Sequence, residues 1–274
     1  MNKPKTITYI AGVARSGTSW LGQVFNSAPS VRFRFQPLFA YEFKGRVNED
    51  STADAFESLV NDMFVQETPF LIQKDKLDSG LYPSFEKNNE RPDLVFKENR
   101  YQNVIEPFMR KCPKVKLVGL VRNPNAVLSS WMQNEKEFPP GSEPLNEWRY
   151  GACKNSGPED FFGYYKWKEV ANLYLDLREK WPDRVIVVSY EEIVENPIQI
   201  TKELFAFCGI PYSTQTEEFL ESSSRPAYSS ASYYSVFKSK SVVTKWKSLL
   251  DPYIVNEIRE DLRGTRLEQF LGVD

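Results

Sequence analysis

The chain of 274 residues contains no histidine. That excludes a Ser-His-Asp triad, a histidine-ligated metal and an imidazole general base. Any base must be a carboxylate, Tyr, Lys or Cys. Cysteine is nearly as scarce: Cys112, Cys153 and Cys208 lie far apart and form no ligand-spaced pair. A cytoplasmic setting with free thiols is the expectation. No apolar run approaches the roughly 18 residues that a spanning helix needs. Residues 1–5 lead straight into a strand pattern, so no signal peptide and no membrane segment are expected. A strong charge of one sign is also missing. The net charge of -2 argues against general commitment to nucleic acid or an anionic membrane, so any anion site must be local.

Apolar material, by contrast, is ample: 41% of residues are hydrophobic and 14% aromatic. Short apolar runs alternate with helical patterns, the signature of a parallel sheet wrapped by helices. Strands are predicted at residues 6–13, 31–35, 94–97, 115–121 and 184–189. Helices are predicted at 18–26, 51–66, 104–110, 125–134, 161–180, 197–208 and 252–262. The stripe Phe162, Tyr165, Val170, Leu173, Tyr174 and Leu177 reads as a core-facing helix side. The expectation is one α/β domain over residues 1–274, with long loops at about 70–92, 137–158 and 222–241. Long loops in such a sheet can fold over a ligand beyond the carboxyl ends of the strands.

The densest signal is Gly12-Val13-Ala14-Arg15-Ser16-Gly17-Thr18-Ser19-Trp20, directly after the first strand. Two glycines in this frame, between a strand and a helix, make a phosphate loop that points backbone N–H groups at an anion. The nucleotide-triphosphate version carries Gly-Lys-Ser/Thr, with the lysine on the outer phosphates and the hydroxyl on magnesium. Here Thr18 follows Gly17 and the lysine is missing; a cation stands earlier, at Arg15. The loop suits a phosphate-like group better than Mg-ATP. A second anion signal is Arg122-Asn123-Pro124, where a buried strand ends and a helix opens, with Ser129 and Ser130 about two turns further on. An arginine fork plus a hydroxyl is a natural phosphate clamp.

Arg15-Ser16-Gly17-Thr18-Ser19-Trp20 resembles the 5′-phosphosulfate loop of sulfotransferases that use 3′-phosphoadenosine 5′-phosphosulfate (PAPS). Arg122-Asn123-Pro124 with Ser130 resembles their 3′-phosphate motif. Tyr190-Glu191-Glu192, Glu195-Asn196-Pro197, Gly209 and Pro211 follow in that family's order, and Lys238, Lys240, Lys245, Trp246 and Lys247 resemble its basic closing loop. The pattern is closer to bacterial and carbohydrate-directed members than to phenol and steroid enzymes. The resemblance implies a P-loop-type fold and in-line transfer of a sulfuryl group from PAPS to a hydroxyl or amine of a small-molecule or glycan acceptor, leaving PAP. It implies no metal. It assigns Arg15, Ser16, Gly17, Thr18 and Ser19 to the 5′-phosphosulfate, and Arg122 and Ser130 to the 3′-phosphate, aided by Lys238 or Lys240. Trp20 and Tyr190 match adenine contacts, though Trp20 also suits a core position. Arg15 and Lys97 are the candidates for stabilising charge on the leaving oxygen, usually the largest catalytic effect.

The base is where the resemblance fails. Some relatives carry a glutamate where this chain has Gln36, and others a histidine where it has Asn99. Both are amides and take no proton at neutral pH. Glu98 and Glu42 are the nearby carboxylates. Glu98 reaches the site only if the chain turns there; in a continuing strand it faces away from Lys97. Two alternatives stay open at this point: a PAPS- or PAP-binding protein with impaired catalysis, and a P-loop kinase.

Overall fold

The structure, a computed structural model, describes residues 3–223, Val236 and residues 243–272. Five strands, rich in apolar residues and buried on both sides, form a wholly parallel sheet: β1 (Thr6–Ala11), β2 (Val31–Phe35), β3 (Asp93–Glu98), β4 (Val115–Val121) and β5 (Val185–Ser189). Their order is β2-β3-β1-β4-β5. Near-continuous apolar runs are what a doubly covered parallel sheet demands. Helices α1 (Thr18–Asn26), α2 (Ala53–Val65), α3 (Lys74–Asp78), α4 (Ile105–Lys111), α5 (Pro124–Met132), α6 (Pro144–Glu147), α7 (Tyr164–Lys180), α8 (Tyr190–Glu195), α9 (Pro197–Cys208), α10 (Thr214–Ser223) and α11 (Pro252–Leu262) fill the connections. On one face, Tyr9, Phe96 and Leu117 pack against α2, α4, α5, α7 and α11. On the other, Ile10, Val95 and Val118 pack against α1, α9 and α10.

The central strand β1 sends the chain out to β2, and β3 and β4 return on either side of it. A crevice at the carboxyl end of such a strand is where ligands sit in open α/β sheets. The loop after β1 opens there. Helix starts follow their local chemistry. Asn123 caps α5 by accepting from the Asn125 N–H, with Pro124 in the first turn. Ser189 and Glu192 form a capping box at α8, and Gly209, at φ 73°, ends α9.

Some boundaries differ from the expectation. The first strand stops at Ala11 because the chain already turns into the loop. Helix α7 begins at Tyr164, not at residue 161. Gly163 stands at φ 88°, and a Cβ there would lie 2.7 Å from the Gly151 nitrogen. Phe161 and Phe162 therefore enter the core from a non-helical segment rather than a helix stripe. Helix α10 had no predicted counterpart; Thr216, Phe219 and Leu220 form its buried face and the Ser213 hydroxyl accepts the Thr216 N–H at its start. Short helices also interrupt both long loops at 70–92 and 137–158, while residues 224–235 and 237–241 of the third lie outside the described ones.

Candidate active site

Both loop glycines are sterically required. A Cβ on Gly12 would come within 2.7 Å of the Thr18 methyl and 2.9 Å of the Leu120 carbonyl oxygen. One on Gly17 would lie 2.5 Å from the Tyr190 ring, and Gly17 stands at φ 96° at the start of α1. Arg15 is also left-handed, at φ 72°, which is costly for a side-chain-bearing residue. Its surroundings hold it there. The Arg122 guanidinium donates to the Arg15 carbonyl at 2.9 Å, and Arg15 Nε donates to Ser130 Oγ at 3.1 Å. Glu137 lies 3.7 Å from the Arg15 guanidinium. Ser16 Oγ is buried and has no hydrogen-bond partner. A buried orphan hydroxyl beside the first N–H groups of a helix is the donor set an anion needs.

Arg122 directly follows β4 and is buried. Its guanidinium lies 4.9 Å from the Tyr190 ring centre, and burial pulls its pKa down against the opposing pull of Tyr190 and Glu191. Trp167 Nε1 donates to the Arg122 carbonyl at 2.9 Å, and the Asn123 N–H donates to Glu191 at 3.2 Å, so the residue is fixed on both sides. Trp20 meets Tyr190 edge-to-face at 6.0 Å and donates to Ser223 Oγ at 3.1 Å. The structure thus brings together Arg15, Ser16, Gly17, Arg122, Ser130, Trp20 and Tyr190. Ser19 lies close enough to Tyr82, a residue from the first long loop, to counter in part the upward push of burial on the Tyr82 pKa. Lys238 and Lys240 lie outside the described residues.

The third group surrounds Lys97. It is fully buried, its ammonium 3.4 Å from Thr18 Oγ1 and 4.4 Å from the Phe35 ring centre. Burial drives its pKa well below the ordinary lysine value, with Glu98 pulling the other way. Gln36, at φ 43°, donates its N–H to the Lys97 carbonyl at 2.8 Å and its side-chain amide to Asn99. Glu98 does not join them. Strand β3 runs through it, so it points to the opposite face, where its carboxylate accepts the Leu38 N–H at 2.6 Å. There burial pushes its pKa up, and one oxygen, Oε2, has no partner. Glu42 is exposed in the turn that follows residues 37–39.

The sulfotransferase domain model matches residues 5–270. The chain belongs to the sulfotransferase family. It is an enzyme of sulfuryl transfer from PAPS to an acceptor, on a P-loop-like α/β fold. It is 20% identical to human carbohydrate sulfotransferase 3 over 97% of this chain and 67% of that protein. It is 27% identical to carbohydrate sulfotransferase 3 of Tetronarce californica, over 48% of this chain but only 30% of that one. Its fold resembles that of a mouse sulfotransferase complexed with PAP, with a TM-score of 0.55 at 14% identity, covering 99% and 89% of the two chains.

Several residues around this sulfotransferase site carry no motif. Glu137 and Tyr82 come from the long loops, and Phe35 is the register partner of Lys97. Strand register points to Phe35, and only the packing of the loops, not spacing along the chain, brings in Glu137 and Tyr82. Among the described residues no group of three or more His, Cys, Asp or Glu gathers closely enough to hold a metal ion, and no helix is long and apolar enough to cross a membrane.

Proposed function

We propose that residues Arg15 to Ser19 hold the 5′-phosphosulfate of PAPS, that Arg122 and Ser130 hold its 3′-phosphate, and that Trp20 and Tyr190 flank the adenine. The acceptor is the hydroxyl of a glycan or other small molecule. The observation that carries this reading is the link between the two anion signals. Arg15 touches Ser130 through its side chain and Arg122 through its carbonyl, so residues far apart in sequence form one cationic cradle. Arg15 and Lys97 are the cations that stabilise charge on the departing 5′-phosphate oxygen. Lys97 is held toward the loop by Thr18. With Gln36 and Asn99 bonded to each other, the acceptor proton leaves late, after the sulfuryl bond has loosened. A reduced setting such as the cytoplasm suits Cys112, Cys153 and Cys208, none of which is in a disulfide.

The amide pair also favours a second reading, an enzyme of impaired catalysis that binds PAP and turns over slowly. Two measurements separate them. PAP is expected to bind with undiminished affinity in EDTA; strict dependence on a divalent cation would overturn the assignment. Arg122→Ala should weaken PAP binding more than Ser130→Ala, since a charged contact is worth about 1.5–3 kcal/mol and a neutral hydrogen bond about 0.5–1.5. A ligand lacking the 3′-phosphate should lose less in both variants, because it feels them only through the Arg15 loop that Arg122 and Ser130 hold. Labelled PAPS offered with a panel of glycan and phenolic acceptors then reports turnover, and a slow rate with every acceptor selects the second reading.

A further inference from the structure

At the end of β2 lies an open cavity of about 340 Å³ lined by Phe35, Pro69, Phe70, Gln73, Asp75 and Lys76. Its construction is specific. The segment before α3 joins the free edge of β2, where the Phe35 N–H donates to the Leu71 carbonyl at 2.9 Å. Phe35 and Phe70 meet edge-to-face at 5.8 Å and form an aromatic wall. Gln73 is buried at φ 55°, and its amide nitrogen donates to the Phe70 carbonyl at 2.8 Å. Its amide oxygen accepts from Lys76 Nζ at 2.6 Å. That amide aims the Lys76 ammonium over two rings, 4.8 Å from the centre of Phe35 and 5.0 Å from that of Tyr82.

Phe35 therefore carries two ammonium groups. Lys97 is its register partner and reaches Thr18 of the donor loop; Lys76 reaches it from the cavity. The Lys76 charge lowers the tendency of Lys97 to stay charged, and burial acts in the same direction on both lysines. Asp75, on the cavity wall, pulls Lys76 the other way. A pair of like charges beside a transfer site is relieved by anions. The donor supplies one for Lys97. We propose that Lys76 binds a negatively charged group of the acceptor, placed beside the hydroxyl that receives the sulfuryl group, while Phe35 and Phe70 take the flat apolar face of the same ring. The acceptor is then an acid, either an acidic sugar or a hydroxylated aromatic acid, and Lys76 is its specificity determinant. This rests on the donor site proposed above.

The test uses the full chain saturated with PAP and two matched pairs of probes. One pair is 4-hydroxybenzoate and 4-hydroxybenzamide; the other is a disaccharide ending in a uronic acid and its glucose counterpart. Calorimetry with wild type should show the acid of at least one pair binding about tenfold or more tightly, as a charge-assisted contact implies. The pair that responds identifies the source of the charge. Lys76→Met should reduce that preference to under about threefold, Lys76→Arg should restore most of it, and PAP affinity should stay within about threefold in both. Equal binding of acid and neutral probe, no binding of either pair, or equal loss of both probes in Lys76→Met would overturn the proposal. A large loss of PAP affinity in Lys76→Met would assign the residue to the donor instead and overturn it too. The donor reading fails separately: if no acceptor is sulfurylated from labelled PAPS while the acid preference and its loss in Lys76→Met persist, the acceptor pocket stands and transfer does not.

Discussion

Gln36 and Glu98 are three-dimensional opposites. Gln36 turns into the site through a left-handed backbone and pairs with Asn99. Glu98 turns away, buried, with its carboxylate on the Leu38 N–H. Gln36→Glu should therefore raise kcat, because a positioned general base is worth about 10²–10⁴-fold. PAP affinity should hardly change. An unchanged kcat in steady-state assays would mean that proton removal does not limit the reaction. Glu98→Gln should leave turnover intact while altering stability. Burial raises the Glu98 pKa, so the folded chain keeps a proton that the unfolded chain sheds above about pH 4.3. Stability is then lost as pH climbs from that value toward the raised folded one. The amide variant removes the titration and should flatten the dependence of urea midpoint on pH between about 5 and 8, a comparison that fails if both proteins trace parallel curves.

Among the elements, the loop from β1 into α1 carries the most consequence, because its conformation depends on parts contributed by others. Tyr190, the first residue of α8, leaves no room for a side chain at Gly17. Arg122, at the end of β4, fixes the strained Arg15 carbonyl. Gly17→Ala forces a methyl group against the Tyr190 ring and a left-handed backbone on alanine. It should cost about 1–3 kcal/mol and lower Tm by several degrees. PAP affinity should fall with it, since the loop's N–H groups would lose their alignment. A variant with unchanged Tm and unchanged PAP affinity would show that α8 yields freely, and that the close packing of loop and helix is not what shapes the site.

For the whole molecule, the site is a meeting of cations inside a chain of net charge -2. Arg15, Arg122 and Lys97 gather where β1, β4 and β3 end, with Lys76 beside the end of β2, so the attraction for an anion is local. Burial keeps the Lys97 pKa low, and a bound phosphate favours its charged form. The complex therefore holds more protons than the free protein. PAP affinity should fall as pH rises above about 7.5, past the phosphate's own titration near 6, by at most about tenfold per pH unit for one proton. Lys97→Met should bind more weakly and with a flatter profile. Calorimetry from pH 7.5 to 9 checks this, and a wild-type profile as flat as that of the variant would count against Lys97 as a titrating donor.

Sequence alone determined the alternation of strands and helices, the glycine frame of the loop around Gly12 and Gly17, and the turn at Arg122-Asn123-Pro124 that opens α5. Each is written in local chemistry: apolar runs, glycine where φ must be positive, a capping asparagine before proline. Helices 18–26, 197–208 and 252–262 needed nothing more. What the sequence left open was which side chains meet. Glu98 and Lys97 are neighbours in the chain, yet strand geometry sends them to opposite faces. Arg15 and Ser130 lie far apart, yet parallel pairing of β1 with β4 sets them 3.1 Å from each other. Lys76 and Tyr82 sit in a loop without a motif, and only the attachment of that loop to the edge of β2 carries them to Phe35. Local pattern records the backbone's own preferences; contact between distant segments is decided by sheet order and packing, which no short window of residues contains.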